Sequence, residues 1–183
     1  MSPSKFTLYY RGSLKSASKS NTRAADKREI RRVFHEQMQT LWSSEPYKDF
    51  HGHHFERPKS KYEVGSTTYF PLVTKAASLV AELDITFLRN EEGGRIIRSG
   101  GDIDNRLKTL FDALRLPHDE KEAGDEAYDD GICYTLLEDD ALITSVSVTT
   151  DRLLEDCKRD DVLLLIRVTV VPINFPLGNF GIV

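Results

Sequence analysis

Leu79-Val-Ala-Glu-Leu-Asp-Ile-Thr-Phe87 and Asp102-Ile-Asp-Asn-Arg-Leu-Lys-Thr-Leu-Phe-Asp-Ala-Leu114 are the two segments that decide the fold. In the first, Leu79, Ala81, Leu83, Ile85 and Phe87 alternate with Glu82, Asp84 and Thr86. Successive side chains of a strand point to opposite faces, so the alternation predicts a strand with one buried face. In the second, Leu107, Leu110, Phe111 and Leu114 recur at helical spacing. This predicts a helix over about 105–115, with Asp104 as its N-cap and Pro117 just beyond its end.

Outward from this pair the chain yields further elements. Phe6–Tyr10 is rich in aromatic and β-branched residues and predicts a strand. Residues 11–23 form a polar, basic loop. Ile30, Val33, Phe34, Met38 and Leu41 share one face of a helix predicted over 24–43. Residues 44–75 carry Pro46, Pro58, Pro71, Gly52 and Gly65 and read as a long irregular connection with a short strand at Thr67–Phe70. Residues 117–138 include a strongly acidic stretch, expected to be a surface loop or short helix. After Asp140, Leu142, Thr144, Val146 and Val148 alternate with Ile143, Ser145 and Ser147, which predicts another strand. Val162–Val171 is more fully apolar and suits the centre of a sheet. The order implies one α+β domain over 1–183, with helices packed on one face of a mixed sheet.

Bulk composition narrows the class. The chain has 183 residues, 39% of them hydrophobic and 30% charged, enough to bury a single core. No apolar run reaches the roughly 18–20 residues needed to span a bilayer. Met1-Ser-Pro-Ser-Lys5 has no apolar signal region, and Cys133 and Cys157 are the only cysteines, so a reduced, cytoplasmic protein is expected, with no membrane partner. The net charge of −4 argues against an undifferentiated nucleic-acid binder. Its distribution is uneven. Arg11–Arg32 holds eight Lys and Arg against two Asp and Glu, whereas Asp102–Asp140 holds thirteen acidic residues against four basic ones. A phosphate-binding arm and a metal-binding cup would give that pattern, as would plain segregation of charge on a solvated surface.

The chemistry concentrates at Asp102, Asp104, Asn105 and Lys108, with a second acidic pair at Asp139-Asp140. On an extended backbone Asp102 and Asp104 point to the same side, and Lys108 returns to that side if a helix begins there. Mg²⁺ takes hard oxygen ligands, commonly one or two carboxylates with water and a substrate phosphate. Asp102, Asp104 and Asp140 have the donors for such a site, with Lys108 near the phosphate. Each residue also has a plainer role. Asp104 suits a cap, Lys108 suits an ion pair with Asp104 or Asp112, and Asp139-Asp140 suits a turn. His51-Gly-His53-His54 has imidazole ligands without a nearby Cys or Asp and reads as a polar surface loop. Tyr9, Tyr10 and Trp42 could stack on bases, though such positions more often serve the core. Cys133 and Cys157 lack an activating neighbour and read as inert core thiols.

Asp102-x-Asp104-Asn105-x-x-Lys108-x-x-x-Asp112-Ala113-Leu114, followed by Asp139-Asp140-Ala141, resembles the RusA family of Holliday junction resolvases. The order of elements over most of the chain is similar too. The resemblance implies a RusA-like fold and a small homodimeric endonuclease of DNA recombination and repair. Such an enzyme depends on Mg²⁺, with Mn²⁺ as a substitute, and cuts four-way junctions by paired symmetric nicks. It implies Asp102, Asp104 and Asp140 as metal ligands and Lys108 as the essential lysine, with Asn105 and Asp139 supporting them. Arg11, Lys15, Lys19 and Arg23 are the expected contacts to the DNA backbone. The acidic segment 117–138 departs from the family pattern as an insertion, expected near the metal site. The alternative is a non-catalytic nucleic-acid- or protein-binding module of the same fold, which would not require Mg²⁺.

Overall fold

The computed structural model describes residues 4–16, 24–48, 62–90, 102–125, 127–158 and 160–173. Its elements run β1 (Ser4–Ser13), α1 (Ala24–Trp42), β2 (Glu63–Val64), β3 (Thr67–Val73), β4 (Leu79–Arg89), α2 (Asp102–Leu114), α3 (Glu120–Ala123), β5 (Ile132–Leu137), β6 (Ile143–Arg152) and β7 (Asp161–Pro172). Single 3-10 turns at Asp129–Gly131 and Asp140–Leu142 precede β5 and β6. The fold is α+β with two mixed sheets. No described helix is long and apolar enough to cross a membrane.

The larger sheet has the order β1-β7-β4-β6. β7 is antiparallel to both β1 and β4, and β4 is parallel to β6. The apolar character of β7 agrees with its central place. Its even-numbered residues, Val162 to Val170, are buried, and they share a core with Leu8 and Tyr10 of β1 and with Leu83, Ile85 and Phe87 of β4. Ile30, Phe34 and Met38 of α1 and Leu110, Ala113 and Leu114 of α2 complete that core. The opposite face of the same strands carries the exposed Lys5, Thr7, Tyr9, Arg11, Glu82, Asp84 and Arg167. Strand alternation therefore sorts one dry face from one wet face, as the pattern at 79–87 predicts.

The second sheet, β2-β3-β5, was not expected from the sequence. Pro71 seemed to end the strand at Phe70, yet β3 runs on to Val73. β2 pairs only with Thr67 and Thr68, so Pro71 lies past the end of β2 and its missing N–H disrupts no ladder on that side. The segment 117–138 also divides. Its acidic first half folds as α3 and a 3-10 turn. Near its end Ile132–Leu137, Ile-Cys-Tyr-Thr-Leu-Leu, forms β5, parallel to β3. Thus the segment is not a free surface insertion, since its end is a core strand. Cys133 is buried there, whereas Cys157 is only half-buried and is not a core thiol.

Candidate functional site

Helix α2 starts at Asp102, not near 105, so Asp104 sits within the first turn rather than capping it. This changes the geometry read from the sequence. Positions two apart on a helix lie about 200° apart around the axis, whereas on a strand they share a side. Positions 104 and 108, one turn apart, do share a face. Asp104, Asn105 and Lys108 are exposed along it. The side chain of Asp102 lies outside the described residues.

The opposite face of α2 fixes its position. Leu110, Ala113 and Leu114 enter the core, and Arg106, 3% exposed, reaches the ends of two strands. Its guanidinium donates to the Leu14 carbonyl beyond β1 and pairs with Asp160 at 2.8 Å just before β7. A buried guanidinium with an acceptor and a carboxylate partner is a strong directional tie. Sequence reading treated Arg106 only as one charge among many.

The second carboxylate pair occupies the turn between β5 and β6, which lies against α2 and β4. Asp139 caps the 3-10 turn, its Oδ1 accepting from the Ala141 N–H at 2.8 Å. That backbone hydrogen bond is the main cause of a carboxyl pKa below the ordinary 3.8. Lys75, a side-chain hydrogen bond with Asp140 and His118 lower it further, against some desolvation. Lys75 is exposed, and its backbone N–H donates to Glu138 at 2.9 Å. Asp140 itself is exposed. Lys75 and His118 are neighbours of this turn that sequence reading missed, because they come from distant segments brought together by β3 and by the end of α2.

Asp139 and Asp140 carry the hard carboxylate oxygens that Mg²⁺ takes as ligands. Among the described residues, however, no three His, Cys, Asp or Glu side chains form a group set to hold a metal ion.

The far end of α2 is different in kind. Asp112 is nearly buried, bridging Lys27 of α1 at 2.7 Å and Arg115 at 3.0 Å. Burial by itself would raise its pKa, but the Lys27 ammonium and the Arg115 guanidinium outweigh that and hold it below 3.8. Arg31 of α1, 1% exposed, donates to the Asp112 carbonyl at 2.9 Å and to Glu122 at 3.3 Å. Glu122 also receives Arg115 at 3.3 Å and the His118 N–H at 3.1 Å. Asp119 caps α3, and Gly124 ends it at φ +70°, with its Cα pressed against the Arg28 side chain. The acidic segment thus docks on the basic face of α1.

Those contacts revise the proposed basic arm. Lys27 and Arg31 belong to this interior network. Arg11 pairs with Glu155, and Lys15 with Asp26 at 3.1 Å; both pairs are largely solvated, so phosphate could displace them. Lys19, Arg23 and the His51–His54 run lie outside the described residues. Tyr10 and Trp42 are core residues, which removes them as base-stacking groups, whereas Tyr9 is 56% exposed. The Tyr10 hydroxyl has a pKa pushed up to about 12, first by burial and then by Glu29, Asp26 and Asp161.

No family model matches the chain, and no curated protein matches it. The resemblance to RusA-type resolvases therefore rests on the two motifs and the order of the elements.

His35 was also missed. It is 7% exposed on the buried stripe of α1. Its Nδ1 accepts the Tyr134 N–H at 3.0 Å, and its ring packs on Tyr134 and Tyr128 with centroids 5.7 Å and 4.9 Å away. Burial lowers its pKa below 6.5, against the opposing pull of Glu36 and Asp129. The imidazole thus fastens α1 to β5 in its neutral form.

Proposed function

We propose that this protein is a Mg²⁺-dependent, structure-specific DNA endonuclease of RusA type that resolves four-way junctions as a homodimer. The observation that carries the reading is the exposed Asp104–Asn105–Lys108 face of α2, on a helix packed against the turn that carries Asp139 and Asp140. Among the described residues, neither Asp104 nor Lys108 is committed to an ion pair, unlike Asp112 on the same helix.

In this reading Asp104 and Asp140 would hold the cation, which when bound would supply Lewis-acid activation of water and shield the phosphate. Position 102, two residues earlier on the helix, does not share the Asp104 face, so the Asp102 expected as a third ligand is the least supported of the set. Asp139 orients the turn through its cap. Lys108 places a cation where negative charge develops on the phosphate or the leaving oxygen. Lys75 balances the acidic pair. Arg11 and Lys15, at one edge of the sheet, contact backbone phosphates without reading sequence. A homodimer suits the substrate, because two equivalent sites related by a two-fold axis can cut two symmetric strands.

The test is cleavage of a labelled four-way junction with and without Mg²⁺, beside linear duplex and flap controls. Paired nicks on the junction alone, and only with the metal, are expected. Equal cutting of the controls would mean a general nuclease. A non-catalytic binding module is the second reading. Junction binding that is indifferent to Mg²⁺, with no cutting, would establish it.

A further inference from the structure

The two edges of the larger sheet are treated differently. At the β1 edge, Gln37 of α1 acts as a substitute strand. Its Oε1 accepts from the Tyr9 N–H at 2.9 Å, and its Nε2 donates to the Tyr9 carbonyl at 2.8 Å. The same strand carries exposed Lys5 and Arg11. Charged side chains and covered main chain are the usual protections of an edge against pairing.

β6, at the other edge, has charged side chains only at its end, and among the described residues no strand covers its free side. It is 10 residues long, reads Ile-Thr-Ser-Val-Ser-Val-Thr-Thr-Asp-Arg, and is uncharged until Asp151. It contains no proline, and its β-branched residues favour extended pairing. It is open on both faces, with Val146 42% exposed even on the side that the helices cover elsewhere. A long, uncharged edge of this kind is a template for another strand.

We infer that β6 is a homotypic interface, pairing antiparallel with β6 of a second copy to make one continuous eight-stranded sheet. The occupant is argued from charge. With the two-fold axis near Ser147, uncharged residues face uncharged residues along the middle of the pair. The terminal charges fall at its rims, where Arg152 of each copy comes beside Leu142 of the other, next to the turn bearing Asp139 and Asp140. No like charges are opposed, and each copy brings a cation toward the acidic turn of the other. An acidic or basic foreign strand would gain no matching charge along this edge. The inference deepens the dimeric part of the proposed function and rests on it.

The test is sedimentation of the full-length chain, without DNA or Mg²⁺, so that failure here is distinct from failure to cleave. A dimer is expected for the parent chain. Ser147→Lys sets two lysines against each other at the axis and should weaken association at least about tenfold, with an unchanged melting temperature. Thr7→Lys at the guarded β1 edge should leave the dimer intact. Ser147→Cys, in a Cys157→Ser background, should yield a covalent dimer on mild oxidation. A parent chain that stays monomeric at all concentrations overturns the inference. So does a dimer that ignores Ser147→Lys and forms no cross-link at Ser147→Cys.

Discussion

Asp104 and Asp112 stand two turns apart on one helix and have opposite surroundings. Asp112 is sandwiched between Lys27 and Arg115, with Arg31 and Glu122 closing the network around it. Asp104 faces solvent beside Lys108. Both belong to the motif that carries the resemblance, so the motif alone does not separate architecture from chemistry. Their surroundings do. A carboxylate enclosed by two cations has its charge spent on holding α1 to α2, whereas an exposed one keeps its charge for a ligand.

The strongest way to break this comparison is Asp112→Ala. It leaves Lys27 without its partner and Arg115 with Glu122 as its remaining carboxylate, in a nearly dry setting, and removing one member of such a pair costs about 3–5 kcal/mol. Denaturant melts should show that loss, with activity per folded molecule retained. A stable but inactive Asp112→Ala protein would move Asp112 into the chemistry. Next in size is Asp104→Asn, expected to lower junction cleavage by roughly 10²–10³-fold while the melt and junction binding are preserved. Loss of binding together with cleavage would count against Asp104 as a metal ligand.

Acid titration sharpens the contrast further. The Asp112 pKa is depressed in the fold, so its stabilisation is complete above the ordinary value of 3.8 and disappears as pH falls through the lower folded value. His35 acts at higher pH. Its folded pKa lies below 6.5, so the unfolded chain binds more protons there, and stability is complete above 6.5 and declines as pH drops through the folded value. Stability measured against pH should therefore show two declines, the upper one absent in His35→Gln and the lower one, to which Asp139 also contributes, made smaller in Asp112→Asn. A single decline common to all three proteins would show that neither group is linked to folding. The smallest effect is expected for Gln37→Ala, whose exposed hydrogen bonds to Tyr9 contribute about 1 kcal/mol. The same variant should make β1 more prone to association, detectable by light scattering.

Much of the frame was legible in the sequence, because β4, α1 and α2 repeat their apolar residues at the period of the element, β1 is rich in aromatic and β-branched residues, and β7 is a nearly continuous apolar run. The same rule hid the second sheet. β3 is buried on nearly every residue and carries Pro71, so it shows no alternation. β5 follows so many acidic residues that its apolar run was absorbed into their neighbourhood. At the candidate site, Asp104, Lys108 and the Asp139-Asp140 pair were legible as chemistry. The helical start at Asp102 was not, because an Asp before an apolar repeat reads equally as a cap. Lys75 and His118 carry no local signal, since only tertiary folding brings them to Asp139. Arg31 and Lys27 were read as part of a solvated basic arm, and burial on a helix face shared with Ile30 and Phe34 is what reassigns them.

The pairing of Ser4 with Val170 has a consequence for biosynthesis. Among the described strands β1 is synthesised first and its ladder partner β7 last. Until β7 is made β1 lacks that neighbour, and α1, the next described element, can shelter it early, through Phe34 against Tyr10 and Gln37 against Tyr9. Pairings between such distant segments form slowly and leave strands exposed meanwhile. The amide of Gln37 thus does its earliest service as a temporary escort, keeping the nascent strand from the wrong neighbour until its own arrives.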